Sequence, residues 1–290
     1  MTTARVQITR PDKLLWPSIG VTKQTYVDYL GAVADRMIPW LHDRPLSLVR
    51  APDGVDGQRY FQKNTPSHAP SWIKTVTIPA ARRDVAYTVC NDAATLAWLG
   101  NQAALEFHPA PVRRDAIERP DTLTVDIDPP DDAFEAAVEV ALLVLEVTDD
   151  LGLRTLVKTT GGKGLHIVAP IQRRVSADDL RHAANRLTEI VQERRPDLVT
   201  AEFRKADRGG KVMLDPSRNS TGATVVAPYS PRARDEATVS FPVVPDELKA
   251  TDPAAFTVAT VPNLLDRDGP KAWREAERES PQRIPRALLP

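Results

Sequence analysis

Between two mainly apolar runs, Leu156 to Thr159 and Leu165 to Val168, stands the segment Thr160-Gly161-Gly162-Lys163-Gly164, with three glycines in five residues. So dense a turn signal predicts that the two runs fold back on each other as strands of one hairpin. Elsewhere in the chain helical and extended patterns alternate. An antiparallel hairpin set into that alternation favours mixed sheets over an all-parallel Rossmann arrangement.

The flanking segments fill in the rest. Val6 to Ile8 reads as a short strand, and Thr22 caps a helix whose apolar face carries Tyr26, Tyr29, Leu30, Val33 and Met37 and ends near Pro39. From Arg44 to Pro79 the text is irregular, with short extended pieces such as Arg59 to Gln62. A second helix is predicted over about Asp92 to Glu106. Thr122 to Asp128 is a β-branched run closed by Pro129 and Pro130, a buried strand, and a helix follows over about Ala133 to Leu151. Ser176 and Asp179 have capping-box spacing for a helix running to about Arg194. Lys211 to Leu214 and Thr224 to Ala227 read as further strands, and beyond Pro242 only short helical stretches remain, around Asp252 to Phe256 and Asp268 to Glu277.

Composition narrows the class. The 290 residues are 42% hydrophobic, yet no run approaches the roughly 18 apolar residues of a membrane span, so the expectation is a cytoplasmic globular protein. The single cysteine, Cys90, excludes an internal disulfide framework and reads as a core residue. A net charge of −1 gives no global argument for a polyanion partner. Residues 1–119, however, carry 15 Lys and Arg against 11 Asp and Glu, leaving 23 against 28 for the remainder. Any polyanion-binding patch is therefore local, and the front of the chain is where to look.

Chemistry concentrates in Val125-Asp126-Ile127-Asp128-Pro129. Two residues apart on a strand, Asp126 and Asp128 point to the same face, where like charges repel unless a cation sits between them. Oxygen-ligand metals such as Mg²⁺ or Mn²⁺ meet that need. The pattern alone also fits a solvated strand end, a phosphatase or a glycosyltransferase. Lys211-Val212-Met213-Leu214-Asp215-Pro216 is again an apolar strand ending in Asp-Pro, and Asp215 closes the same site if the two strands are neighbours. Three such acids suit two metals about 4 Å apart, one at an attacking hydroxyl and one on a triphosphate. The glycine-rich turn offers backbone N–H groups to phosphate, and Lys163 adds a point charge. It is not a Walker A loop, because Gly164 rather than Ser or Thr follows the lysine.

Several motifs then occur in one order: Leu105-Glu106-Phe107-His108, Asp126 to Pro129, Thr159 to His166, Lys205 with Arg208, Asp215, and Ala227-Pro228-Tyr229-Ser230-Pro231-Arg232. In these the chain resembles, over about residues 5 to 275, the bacterial ligase-associated primase-polymerases, relatives of archaeo-eukaryotic primases typified by the polymerase domain of ligase D. The resemblance implies an α+β fold of the archaeo-eukaryotic primase type, with mixed β-sheets forming a central cleft flanked by helices. It implies one catalytic domain over 1–290, comprising an N-terminal lobe to 120, a metal and nucleotide lobe over 121–240, and a proline-rich segment over 241–290. Asp126, Asp128 and Asp215 would bind Mn²⁺ or Mg²⁺. Thr160, Lys163, His166, Lys205, Arg208 and Arg232 would line the incoming NTP or dNTP, and His108 would reach it.

The front of the chain aligns as well. Lys13 and Lys23 match the lysines that hold the 5′ phosphate on the downstream side of a gap or break, and Arg10 stands where some members have asparagine. Tyr60 and Phe61 fit an aromatic step that stacks on a template base. Arg50 belongs to the same DNA-contacting set, although Val49 replaces the lysine that precedes it in some members, and Gly162 replaces a serine. Read without the family, these lysines are ordinary solvated charges. The activity implied is addition of nucleotides, preferentially ribonucleotides, to the 3′ hydroxyl of DNA with a downstream 5′ phosphate, in gap filling and non-homologous end joining. The partners implied are an ATP-dependent DNA ligase and Ku, for a monomer associated with the nucleoid. Gap synthesis in excision repair and a non-catalytic end-binding module are the alternatives. With no ligase or nuclease module beside these motifs, the chain reads as a free-standing polymerase or an excised domain.

Overall fold

A computed structural model describes residues 6–290 except Ala81 and Asp132. The chain forms two compact units. One comprises Met1–Asp115, Thr224–Phe241 and Ala254–Asp266; the other comprises Ala116–Ala223, Pro242–Pro253 and Arg267–Pro290. Chain order and compact units do not coincide, since Ala227 to Arg232 fold with the N-terminal segment.

The first unit opens with the small ribbon β1 (Leu14–Trp16) and β2 (Val21–Thr22), then α1 (Lys23–Leu41). The Thr22 hydroxyl accepts from the Thr25 N–H, the N-cap read from the sequence. Pro39 lies inside the last turn of α1 and does not end it; the helix runs on to Leu41, and the His42 N–H closes it on the Ile38 carbonyl. Val6 to Ile8 form no strand. The stretch expected to be irregular supplies β4 (Tyr60–Gln62), at the extended piece expected over Arg59 to Gln62, and in addition β3 (Leu46–Arg50) and β5 (Lys74–Ile78), which with β6 (Val85–Val89) complete an antiparallel sheet.

The second predicted helix is cut short. α2 spans Ala93–Asn101, and Ala103, in the left-handed region at φ 53°, reverses the chain into β7 (Ala104–Pro109). β7 pairs along β3, so His108 sits on a strand opposite Ser47, not at a helix end. Pairing with β3 overrides the helical periodicity that continues past Asn101. Thr224 to Ala227 likewise form no strand, although the Ala227 N–H donates to the Phe107 carbonyl. Cys90 is buried, and burial pushes its thiol pKa up, as suits a core residue.

The second unit follows the sequence closely: β8 (Thr122–Asp128), α3 (Phe134–Asp150), β9 (Leu156–Thr159), β10 (Leu165–Pro170), α4 (Ala177–Arg194), β11 (Val199–Thr200), β12 (Val212–Asp215), β13 (Pro242–Val243) and α5 (Asp268–Ala276). Ser176 and Asp179 form the capping box of α4 with aspartate in place of glutamate. The strands make one six-stranded sheet in the order β11-β12-β8-β10-β9-β13, antiparallel except for β11 beside β12. The alternation of β8 buries Leu123, Val125 and Ile127 on one face. α3 packs against β8 and β10 and α4 against β8 and α3, burying among others Val140, Val144, Leu180 and Leu187. No helix among the described residues is long and apolar enough to cross a membrane.

Candidate functional site

β8 is flanked by β12 and β10, and the register aligns Asp126 with Asp215 on one side and with His166 on the other. Lys158 on β9 lies opposite His166. A period of two along each strand places all four side chains on one face, so Asp215, Asp126, His166 and Lys158 form a polar row across four adjacent strands. Asp128 stands on the same face of β8, one pleat further on.

Contacts run along this row. His166 Nε2 lies 3.2 Å from Asp126 Oδ1, and Lys158 Nζ lies 2.9 Å from His166 Nδ1. Arg218, in the 3-10 turn that follows Asp215, places Nε 2.9 Å from Asp126 Oδ2 and 3.2 Å from Asp215 Oδ2. Burial pushes the Asp126 carboxyl pKa up, but His166 and Arg218 outweigh it and hold the group down at about 2. For Arg218, burial disfavours the charge while Asp126, Asp215 and Asp128 favour it, and the net direction is upward. Arg208 Nη1 donates to Asp128 Oδ2 at 2.9 Å, and the same guanidinium holds the carbonyls of Glu202 and Phe203. The Asn219 amide ties this end of the sheet together, donating to the Thr124 carbonyl and accepting from the Thr124 N–H.

Among the described residues no three His, Cys, Asp or Glu side chains are arranged to hold a metal ion between them. The physical reason is visible. Arg218 bridges Asp126 and Asp215, and Arg208 engages Asp128. The Arg218 guanidinium nevertheless marks a point where oxygens from two strands already hold a positive charge, and the donors are hard carboxylate oxygens of the kind Mg²⁺ and Mn²⁺ prefer. The donor set therefore fits such an ion.

The β9–β10 turn lies beside this row. Gly161 takes the left-handed region at φ 67°. The Thr160 hydroxyl donates to the Gly164 carbonyl and accepts from the N–H groups of Gly162 and Gly164, which fixes the loop. A Cβ on Gly164 would be driven into the Ile127 carbonyl, so this glycine lets the turn lie directly on β8. Lys163 Nζ reaches Asp131 Oδ1 at 2.6 Å, and Lys205 meets the same carboxylate at 3.3 Å. Asp131 is exposed, and Lys163 and then Lys205 lower its carboxyl pKa. Two ammonium groups thus share one exposed carboxylate, which leaves positive charge in excess at this point of the turn.

A second constellation belongs to the first unit. Glu106 on β7 accepts from the Ala233 N–H at Oε1, where Arg232 Nε also lies at 3.2 Å, and its Oε2 is 2.8 Å from His108 Nε2. Burial pushes the Glu106 carboxyl up, and His108 and Arg232 more than reverse this, to about 2. Tyr229, at φ 65°, accepts from the Tyr29 hydroxyl, and the Ser230 hydroxyl accepts from the Phe107 N–H, so the Ala227 to Arg232 segment is pinned to α1 and β7. The His108 ring meets Phe61 edge to face at 6.3 Å, and Phe61 and Tyr60 are both exposed. Arg50 is turned to the Gln102 carbonyl and Gln62. Lys23 is buried against Thr9, with burial and then Lys13 and Arg10 lowering its pKa, while Lys13 pairs with exposed Asp53.

Sequence reasoning missed Lys158, Arg218 and Asp131. Lys158 is the most legible of the three, a lysine inside the apolar run from Leu156 to Thr159. Arg218 carries no pattern of its own, and only the turn after Asp215 brings it to the acids.

The family model for the LigD primase-polymerase domain matches residues 22–273. The multifunctional non-homologous end joining protein LigD of Mycolicibacterium smegmatis is 37% identical over 268 residues, 91% of this chain and 35% of that protein. The LigD protein of Pseudomonas aeruginosa is 33% identical over 276 residues, 94% and 33% respectively. The chain thus spans about a third of the length of these relatives. Among solved structures, the polymerase domain from Mycobacterium tuberculosis ligase D in complex with DNA matches with a TM-score of 0.87 at 33% identity, over 96% of this chain and 99% of that one.

Proposed function

The chain belongs to the LigD primase-polymerase domain family, and on that premise we propose that it is a metal-dependent nucleotidyltransferase adding nucleotides to DNA 3′ ends in gap filling and non-homologous end joining. The observation that carries the reading is the row Asp215, Asp126, His166 beside Asp128, with Lys163 and Lys205 sharing one exposed carboxylate next to it.

Asp126, Asp128 and Asp215 would hold Mn²⁺ or Mg²⁺. Bound there, the metal supplies a Lewis acid that eases ionisation of the primer hydroxyl and offsets charge on the triphosphate. The remaining work falls to the protein. His166 donates to Asp126 and keeps that carboxylate ionised and oriented. Lys163 and Lys205 exchange Asp131 for phosphate oxygens, and the Thr160 turn presents its backbone beside them. Arg208 exchanges Asp128 for the same kind of oxygen, since its guanidinium engages two acceptors at once. In the first unit, Glu106 orients His108 and Arg232 as donors for the nucleotide. Arg10, Lys13 and Lys23 supply positive charge for a downstream 5′ phosphate, and Tyr60 and Phe61 supply stacking area for a template base. Arg50, already committed to Gln102 and Gln62, supports the Tyr60 strand. Ribonucleotide preference, an ATP-dependent ligase and Ku as partners, and a monomeric, nucleoid-associated state belong to the same reading.

The test is primer extension on a gapped duplex, with and without the downstream 5′ phosphate, supplying ribo- or deoxynucleotides with Mn²⁺ or Mg²⁺. Incorporation is expected to need the metal, to favour ribonucleotides and to rise with the phosphate. Asp126→Ala with Asp128→Ala should abolish it while DNA binding persists. DNA binding without incorporation by the unmodified chain would leave an end-binding module instead.

A further inference from the structure

Lys158 is 1% exposed and stands in the middle of a sheet, yet none of the steps above uses it. An ammonium group removed from water must be matched by acceptors, and a lysine is retained in such a place only where its hydrogen bonds are made. One acceptor is specified by the register: His166 lies opposite Lys158 on β10, and Nζ lies 2.9 Å from Nδ1. The other nitrogen of the same ring faces Asp126 Oδ1 at 3.2 Å.

The direction of these bonds follows from elementary chemistry. With Lys158 as an ammonium, which donates and cannot accept, Nδ1 offers its lone pair. The single proton of a neutral imidazole then resides on Nε2, where it is donated to the carboxylate. Reversed, a bare Nε2 would face Asp126 Oδ1 lone pair to lone pair. Because Oδ1 is held by His166, Oδ2 is the oxygen turned toward Arg218, whose Nε also meets Asp215 Oδ2.

We propose that Lys158 is a positioning residue that fixes the tautomer of His166 and, through it, which oxygen of Asp126 is presented to the catalytic cation. The proposal rests on the reading of Asp126 as a metal ligand. The polarity of the Lys158–His166–Asp126 chain is a separate property of the metal-free protein, and it is measured separately. Outer partners of this kind affect activity about 10- to 100-fold when removed.

The experiment records ¹⁵N spectra of ring-labelled, metal-free protein at neutral to mildly alkaline pH. The chain has five histidines, and the His166 resonances are assigned by their absence in His166→Gln. The expected signature is an unprotonated Nδ1 and a protonated Nε2. Lys158→Met, close in length and without a donor, should move that pair toward a mixture of tautomers. It should also lower kcat for primer extension about tenfold, with the nucleotide KM changed less than twofold. A wild-type His166 carrying its proton on Nδ1, or on both nitrogens, overturns the proposal. So does a folded Lys158→Met protein with unchanged ring shifts and unchanged kcat. If Lys158→Met does not fold, the wild-type spectrum decides alone. If the unmodified chain shows the expected tautomer but extends no primer, the polymerase reading fails while the wiring of His166 stands.

Discussion

Two clusters, one in each unit, are built from the same three residue types and differ in what surrounds them. Glu106 with His108 and Arg232, and Asp126 with His166 and Arg218, are each a buried carboxylate held near pKa 2 by a histidine and an arginine. At Glu106 both oxygens are used up, one by the Ala233 N–H and Arg232 and the other by His108. No second acid lies in that set, so the carboxylate serves to aim two donors, and the cluster suits an anion. At Asp126 two further carboxylates, Asp128 and Asp215, stand on the same face, and the guanidiniums of Arg208 and Arg218 sit directly on the three acids while the Lys158 ammonium is held behind His166. Three hard carboxylates converging on one face suit a cation that would take the place of the guanidiniums. What distinguishes the two His-Arg-carboxylate clusters is thus the neighbouring strand, not the three residues themselves.

The largest effects should separate the two clusters. Asp126→Asn is expected to lower kcat for extension by about a thousandfold, the roughly 4 kcal/mol a metal supplies to developing charge, with nucleotide KM little changed. Glu106→Gln should act chiefly on stability, with a loss of about 3 kcal/mol in urea unfolding because Arg232 is left beside an uncharged partner. It should raise nucleotide KM more than it lowers kcat. If both variants lose kcat equally with KM intact, the contrast collapses. Acid unfolding of the metal-free protein tests the shared part. Both groups ionise more readily when folded than the usual 4 or so of an unfolded chain. Their stabilisation is therefore full above about pH 4 and is lost as pH falls through about 2. Each substitution should flatten that loss.

The same contrast separates what could be read from the sequence from what could not. The Asp126 cluster was legible because its strands are local and punctuated: a β-branched run stopped by Pro129, a glycine-rich turn, and a second Asp-Pro end at Asp215. Alternation then dictated a common face. Only the neighbourhood of β8 and β12 had to be supplied by the fold. The Glu106 cluster was poorly legible because it depends on pairing distant in sequence. The helical periodicity running past Asn101 concealed β7, and Arg232 reaches Glu106 across more than a hundred residues. Arg218 was hidden for a simpler reason, since a 3-10 turn three residues past an aspartate leaves no pattern.

A smaller effect addresses Arg218 itself. In the metal-free protein, Arg218→Gln leaves Asp126 and Asp215 facing each other without their shared cation. The expected loss is about 1–2 kcal/mol, less than for a fully buried pair because Arg218 is half exposed. Mn²⁺ should restore this stability, so the rise in Tm on adding Mn²⁺ should be larger in the variant than in the unmodified chain. An equal rise in both would mean that the ion does not take the place of the guanidinium, and the three carboxylates around Asp126 would have another purpose.

The smallest effect is expected at the other end of the first unit, where Lys13 and Lys23 differ as the two clusters do. Lys23 is buried with its ammonium on the Thr9 carbonyl, and burial, Lys13 and Arg10 all disfavour its charge, so an arriving anion would favour the charged form again. Lys13 is tied to an exposed aspartate, Asp53, an ion pair of the kind worth less than about 1 kcal/mol. Lys13→Ala should therefore leave thermal stability nearly unchanged. Its effect should appear in DNA binding alone, where loss of one phosphate contact reduces the slope of log K against log salt by about 1. That reduction should be seen with a 5′-phosphorylated gap and be absent with a 5′-hydroxyl gap. An equal change on both ends would make Lys13 a general backbone contact, and the positive charge around Lys23 would then not distinguish a phosphate terminus from the rest of the strand.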